Sequence, residues 1–113
     1  MHELTIAQSI ISMTLSATDG QNVQKINRVN VRAGELRGIV PTLLTFYFGL
    51  AAENTIAAGA ELCVEYVPPL GKCRACDNVF PIKNYRYICP KCNAVDVQII
   101  AGTELLLKDI EVI

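Results

Sequence analysis

The chain has 113 residues, 51% of them hydrophobic, and a formal net charge of -1 at pH 7. These totals exclude a disordered chain, and a charge near zero gives no general attraction to nucleic acid or to an anionic membrane. No apolar run approaches the roughly 20 residues that span a bilayer, and the first residues lack the pattern of a secretory signal. We therefore expect one small cytoplasmic domain with at most a small insert. Disulfides are rare in that compartment, so the five cysteines indicate metal or redox chemistry.

The first two predicted elements are a helix and a strand. An amphipathic helix is predicted over residues 4–18, where Asp19 and Gly20 end it. Its apolar face is expected to consist of Leu4, Ala7, Ile11 and Leu15, and Ile6, Ile10 and Met13 widen it. Residues 26–33 alternate between apolar and polar side chains, as a half-buried strand does. The apolar set of that strand, which should face the core, is Val29, Val31 and Ala33.

A second helix and a second strand follow. Pro41 suits the first turn of a helix, and the apolar segment after it continues the helix through residue 53. Leu44, Phe48 and Ala51 should share its buried face. Residues 61–67, ELCVEYV, are predicted to form the second strand.

Residues 71–95 differ in character from the rest of the chain. They follow Pro68 and Pro69, and they contain four of the five cysteines and half of the ten basic residues. After them the strand pattern resumes, with Gly102 as a turn between two strands that should both return to the core. The predicted fold class is α+β with an insert. The domain prediction is one α/β domain over residues 1–70 and 96–113, with a cysteine module at 71–95.

The cysteine module has the spacing of a metal site. CRAC at 73–76 and CPKC at 89–92 place Cys73, Cys76, Cys89 and Cys92 in a C-x2-C-x12-C-x2-C pattern. Each C-x2-C turn presents two thiolates, and two such turns can complete a tetrahedral site with no position open to water. We predict a structural zinc ion, which would supply folding free energy to this small module. Iron fits the same thiolates, and a redox-active cysteine pair is the rival reading.

Four further features of the module and its surroundings can be read from the sequence. A hairpin is predicted with VFPI and YRYI as its strands, because Asn84 between them tolerates turn geometry. Asn93 follows the second cysteine pair, where a left-handed backbone is often needed. Two interpretations of the basic residues of the module stay open, compensation of the negative charge of the metal centre and contact with nucleic acid, and the first is favoured. Cys63, the remaining cysteine, is interpreted as an ordinary half-buried residue in preference to a reactive thiol.

His2 is the only histidine in the chain. At position two its imidazole lies within a few bonds of the α-amine of Met1 and of the backbone nitrogens of His2 and Glu3. Ni²⁺ and Cu²⁺ favour such square-planar nitrogen sets. The first N–H groups of a helix have no internal partner, and the helix dipole favours negative charge there. Glu3 could match that dipole or supply an oxygen ligand, although a lone histidine near a terminus is more often a simple surface residue.

Taken together, these motifs resemble the HypA/HybF family of nickel metallochaperones, which are hydrogenase maturation factors. The resemblance rests on MHE at residues 1–3, GEL at 34–36, the four-cysteine module after a proline pair, and the closing GTELLLKDIEVI. It runs essentially from end to end. The implied fold is a small mixed β-sheet packed against two helices, with a protruding zinc ribbon.

The resemblance implies a function in metal delivery. A protein of this family helps to deliver Ni(II) to the large subunit of [NiFe]-hydrogenase, working with the GTPase HypB, and in some organisms it also serves urease. By position, nickel would be bound by Met1, His2 and Glu3, and zinc by the four cysteines. The chain is thus predicted not to be an enzyme and to need neither nucleic acid nor membrane as partner. A weak homodimer is left open.

The chain departs from the family at the zinc site. Several family members carry histidines beside the zinc cysteines, whereas this chain has Asp77, Asn78, Asn93 and Ala94 there. Any switch at this site therefore cannot use imidazole, and a second histidine cannot complete the nickel set. The competing class is a zinc-ribbon interaction module in which His2 is incidental. Nickel binding that depends on His2 distinguishes the two.

Overall fold

A computed structural model describes residues 2–113, so Met1 lies outside the described residues. Two helices, six strands and one short 3-10 turn follow one another along the chain. In order they are α1 (His2–Thr18), β1 (Ile26–Gly34), the 3-10 turn (Glu35–Arg37), α2 (Pro41–Ala52), β2 (Glu61–Val67), β3 (Leu70–Cys73), β4 (Val79–Pro81), β5 (Val97–Ala101) and β6 (Leu105–Val112). No helix within residues 2–113 is long and apolar enough to cross a membrane.

The chain divides into two compact units. The first comprises the chain through Arg32, then Gly38–Glu65 and Leu106–Ile113, and it contains both helices. The second comprises Ala33–Arg37 and Tyr66–Leu105, and it contains the cysteine module. The α+β fold class with an inserted four-cysteine module is confirmed.

Both predicted helices form, and four residues of the predicted apolar face of α1 are buried. Ile6, Ala7, Ile10 and Ile11 are buried, whereas Leu4 is 36% exposed. Thr14 is fully buried on the same face because its hydroxyl donates to the carbonyl of Ile10 at 2.7 Å, which satisfies the polar group. In α2, which packs against α1, the buried residues are Leu44, Phe48 and Ala52, so Ala52 takes the place predicted for Ala51.

The first sheet has the strand order β2-β1-β6. Val29, Val31 and Ala33 of β1 are buried, as predicted from the alternation. The opposite face carries side-chain pairs at regular offsets, which indicate that β1 runs parallel to β2 and antiparallel to β6. Those pairs are Arg28–Glu61 and Arg32–Glu65 toward β2, and Arg28–Glu111 and Asn30–Asp109 toward β6. The sheet is therefore mixed.

The second sheet has the order β4-β3-β5, and two sequence predictions about it are wrong. β4 pairs with β3, with Gly71 opposite Phe80, and residues 84–88 form no strand, so the VFPI–YRYI hairpin is absent. β5 also pairs with β3, so only β6 returns to the first sheet. The reason is burial, because Phe80 and Ile82 pack with Cys73, Cys89, Val97 and Ile99 into the small core of this unit.

Three predicted turns are confirmed by the backbone. Asn84 and Asn93 have φ values of 54° and 61°, and Gly102, between β5 and β6, has φ 109°. Gly102 lies so close to Gly34 that a Cβ at Gly34 would overlap the Gly102 carbonyl group. The N–H of Leu36 donates to that same carbonyl at 2.8 Å. The GEL and GTE motifs thus form one backbone crossing in the second unit.

Candidate metal sites

The first cysteine pair lies in a tight loop that begins where β3 ends. The N–H of Asp77 donates to the carbonyl of Cys73 at 2.9 Å, and the N–H of Cys73 donates to the carbonyl of Asn78 at 2.9 Å. These two bonds need a left-handed residue after the second cysteine, and Asp77 has φ 63°. Aspartate is among the few residues that adopt this conformation routinely, because its short polar side chain bonds locally.

The second cysteine pair repeats the same loop. The N–H of Asn93 donates to the carbonyl of Cys89 at 2.8 Å, and the N–H of Cys89 donates to the carbonyl of Ala94 at 2.9 Å. Asn93 therefore corresponds to Asp77. The backbone of Asn93 is left-handed as well, with φ 61°.

The two loops bring the four sulfur atoms together. The Sγ atoms of Cys73, Cys76, Cys89 and Cys92 all lie within 4.8 Å of one another. Cys73 and Cys92 are 3.5 Å apart, and Cys76 and Cys89 are 3.7 Å apart. A tetrahedral ion with Zn–S bonds of about 2.3 Å requires sulfurs about 3.8 Å apart. The distances between the sulfur atoms fit such an ion and are far longer than the S–S bond of a disulfide. All five cysteines are free thiols.

Hydrogen bonds and burial shift the pKa values of Cys89 and Cys92 in opposite directions. Although burial opposes it, backbone N–H groups of Cys92 and Lys91 lower the pKa of Cys89 to about 6. The Asn78 amide also donates to the Cys89 sulfur, at 3.8 Å. Despite a bond from the backbone of Ala94, the neighbouring thiols and burial raise the pKa of Cys92 to about 12. Without a metal, four such close thiols cannot all ionise, so a cation that accepts four thiolates relieves the repulsion and releases protons.

At the beginning of α1 the side chains of His2 and Glu3 differ sharply in exposure. The His2 side chain is 53% exposed, whereas the Glu3 side chain is 3% exposed, and His2 Nε2 lies 3.8 Å from Glu3 Oε2. Glu3 Oε2 accepts the backbone N–H of Val40 at 3.0 Å. This bond is the largest of the contributions, among them the backbone N–H of Glu3 itself, that lower the pKa of Glu3 to about 2, so the carboxylate is charged across the neutral range. Met1, the third predicted nickel ligand, lies outside the described residues.

The sequence offers no direct signal for two of these partners. Val40 precedes α2 and has no side-chain cap, so the beginning of that helix needs an acceptor from elsewhere. That need is readable from the sequence, but the identity of Glu3 as the acceptor is not. Asn78 likewise looks like an ordinary loop residue until the fold places its amide against Cys89. Within residues 2–113 the four cysteines form the one cluster of three or more metal-binding side chains.

A family model described as "Hydrogenase/urease nickel incorporation, metallochaperone, hypA" matches residues 1–112. The chain is 38% identical to the hydrogenase maturation factor HypA of Geobacter sulfurreducens over 112 residues, covering 99% of each protein. It is 39% identical to the hydrogenase maturation factor HypA of Caldanaerobacter subterraneus over 113 residues, again covering 99% of each.

Solved structures of similar fold carry the same family name. The solution structure of the Ni metallochaperone HypA from Helicobacter pylori matches with a TM-score of 0.73 at 25% identity, covering 99% of this chain and 97% of that one. A second match, titled "Solution structure of HypA protein", has a TM-score of 0.75 at 27% identity and covers 100% of this chain and 97% of that one.

Proposed function

Because this chain belongs to the HypA family of nickel-incorporation metallochaperones, we propose that it delivers Ni(II) for the maturation of [NiFe]-hydrogenase in the cytoplasm. The name shared by the similar proteins, hydrogenase maturation factor, supports this role. The family description also mentions urease, so we include urease as a second destination for the metal. Transfer of an ion between ligands needs no covalent chemistry, and the protein is accordingly proposed not to be an enzyme.

The proposed nickel site consists of Met1, His2 and Glu3. The observation that carries it is an exposed imidazole beside a buried, charged carboxylate at the beginning of a helix. There the backbone N–H groups have no partner within the helix, and Ni²⁺ favours a planar set of nitrogen ligands. Glu3 is oriented by its bond to Val40, so it contributes negative charge from a fixed position. His2 is the residue on which binding should depend most.

The proposed structural ion is zinc, bound by Cys73, Cys76, Cys89 and Cys92. The sulfur spacing supports this assignment, and four thiolates leave no position open for water. A zinc ion at this site would join the two cysteine loops and contribute folding free energy to the second unit. Because Cys73 and Cys89 belong to the small core of that unit, loss of the metal should loosen the core as well.

The proposed partners are a HypB-type GTPase and the hydrogenase large subunit. An incomplete, exposed nickel site suits transfer, because a partner can supply a competing ligand without first opening the fold. With one histidine in the chain, the remaining nickel donors must be backbone nitrogen, carboxylate, water or a partner's side chain.

Nickel titration of untagged protein, followed by calorimetry and by absorption spectroscopy, tests the proposal. We expect His2→Ala to abolish tight Ni²⁺ binding and to leave the zinc content at one ion per chain. A short peptide fused ahead of Met1 should do similar damage, because it removes the free amine. Cys63→Ala is the matched control and should bind nickel normally. If both the His2 variant and the extended protein bind Ni²⁺ with native affinity, the nickel proposal fails and the zinc-ribbon interaction module remains as the function.

A further inference from the structure

The loop that follows β4 and includes the second cysteine pair, residues 82–92, carries charges that neither proposed metal site uses. From Val79 to Val95 there are three cations, Lys83, Arg86 and Lys91, and no acidic residue. All three are exposed, and none forms an ion pair with another residue in the range 2–113. In contrast, Arg28, Arg32 and Arg74 each hold a carboxylate.

These cations do not neutralise the thiolates through direct contact. The side-chain donor that reaches the cysteine sulfurs is the amide of Asn78. No lysine or arginine of the described chain donates to a sulfur atom. The basic excess of the loop therefore faces solvent, where a partner of opposite charge can reach it.

The turn at the tip of the loop places a tyrosine in a backbone conformation that bulky residues rarely adopt. Arg86 N–H donates to the carbonyl of Lys83 at 3.0 Å, and the two residues between them, Asn84 and Tyr85, have φ values of 54° and 57°. Asparagine tolerates this region, whereas a bulky aromatic residue rarely adopts it. Tyr85 is 71% exposed, so burial of its ring does not offset the strain. Strained residues of this kind concentrate at binding sites.

A hollow of about 230 Å³ lies beside this turn. Lys83 and Arg86 line it together with the apolar side chains of Pro81, Ile88 and Pro90. It is smaller than the roughly 300–1,000 Å³ typical of small-molecule sites, so it suits a single side chain better than a nucleotide. Tyr85 and Tyr87 are the neighbours of Arg86 in the sequence. Tyrosine and arginine are both enriched at protein interfaces.

We propose that this basic turn, Lys83–Arg86 with Tyr87 and Ile88, docks an acidic segment of a partner protein. Carboxylates of the segment pair with Lys83 and with the guanidinium of Arg86. The guanidinium can donate two parallel hydrogen bonds to one carboxylate. An aliphatic side chain between the carboxylates enters the hollow. The surface needs no nickel, so its failure and the failure of nickel binding are distinguishable.

Fluorescence anisotropy with two labelled peptides tests this proposal on the zinc-loaded full chain. The acidic probe has the sequence EEDLEEL, and the neutral one is QQNLQQL. We expect the acidic probe to bind at least about tenfold more tightly, with affinity that falls as salt is added. The double variant Lys83→Gln, Arg86→Gln should lose about tenfold, whereas the charge-matched variant Lys25→Gln, Lys72→Gln should stay within about twofold.

Further measurements distinguish binding at this specific surface from a general attraction of the acidic peptide to positive charge. Amide shifts in a nitrogen-15 spectrum should concentrate in residues 80–91. Tyr85→Gly should keep the fold, because glycine suits the positive φ, yet weaken the acidic probe severalfold. Equal binding of the two peptides, equal losses in the two double variants, or no binding at all would overturn the proposal. So would tighter binding of a ten-nucleotide thymidine strand through the same amides, since the surface would then recognise nucleic acid.

Discussion

The carboxylate of Glu3 accepts the backbone N–H of Val40 at 3.0 Å, so the first turn of α1 supplies the acceptor that α2 lacks at its own beginning. In a capping box, a glutamate inside the helix binds the N–H of the capping residue. Here a glutamate from another helix does so. The proposed nickel site is thereby tied to the packing of the two helices.

The Glu3–Val40 bond should make stability depend on pH. The pKa of Glu3 falls from its usual 4.5 to about 2 in the folded protein, so the folded state favours the charged form. Its stabilisation is fully present above pH 4.5 and is lost as the pH falls from 4.5 toward 2. Glu3→Gln should lower the melting temperature at pH 6, and the gap from the native protein should narrow below pH 4.5 and close only near pH 2. Glu53→Gln, at an exposed position, is the control, and parallel melting curves for native and Glu3→Gln protein would contradict this account.

The Asn78 amide should help to retain the zinc ion. Because it donates to the Cys89 sulfur, its removal leaves that thiolate with one hydrogen bond fewer. Residues that orient metal ligands typically contribute about 10-fold to 100-fold in metal affinity. Asn78→Ala should therefore release zinc to a chromophoric chelator roughly tenfold more readily than the native protein. Asn27→Ala removes an exposed asparagine from β1 and should release zinc at the native rate. Identical release from both variants would mean that the amide bond has no effect on the metal.

The left-handed conformation of Asn93 should limit what can replace it. Its φ of 61° suits glycine and excludes a β-branched residue. Asn93→Gly should bind zinc normally, whereas Asn93→Val should destabilise the second unit by about 1–2 kcal/mol. Thermal unfolding of the zinc-loaded proteins measures the difference. If the valine variant melts with the native protein, the loop does not require this backbone.

The crossing of Gly34 and Gly102 should tolerate no side chain. A Cβ at Gly34 would overlap the carbonyl of Gly102 and the backbone nitrogen of Thr103, so Gly34→Ala should cost about 1–3 kcal/mol or prevent folding. Gly49 offers a matched control, because it lies inside α2 with nothing within 4 Å of its Cβ position. Gly49→Ala should instead stabilise the protein by about 0.5–1 kcal/mol. Denaturant unfolding of the two variants separates backbone clash from helix propensity, and equal effects would contradict the crossing.

The sequence alone allows the local features to be predicted. The two C-x2-C motifs each close a loop within six residues, so their spacing is enough to predict how pairs of thiols are presented. The left-handed positions at Asn84 and Asn93 can be predicted from the chemistry of the asparagine side chain. Both helices can be predicted from the spacing of apolar residues and from the residues that start or stop a helix. These properties depend on neighbours in the chain, and the fold leaves them intact.

Only the tertiary structure decides which distant segments pair. β5 is rich in apolar strand-forming residues, as β6 is, yet it pairs with β3 because Val97 and Ile99 complete the small core around Phe80. YRYI has strand-forming residues, but β4 pairs with β3 instead. Glu3 and Val40 are 37 positions apart, and no local signal connects them. The pairing of distant segments depends on the burial and hydrogen bonding of the whole chain. The local spacing of residues does not contain that information.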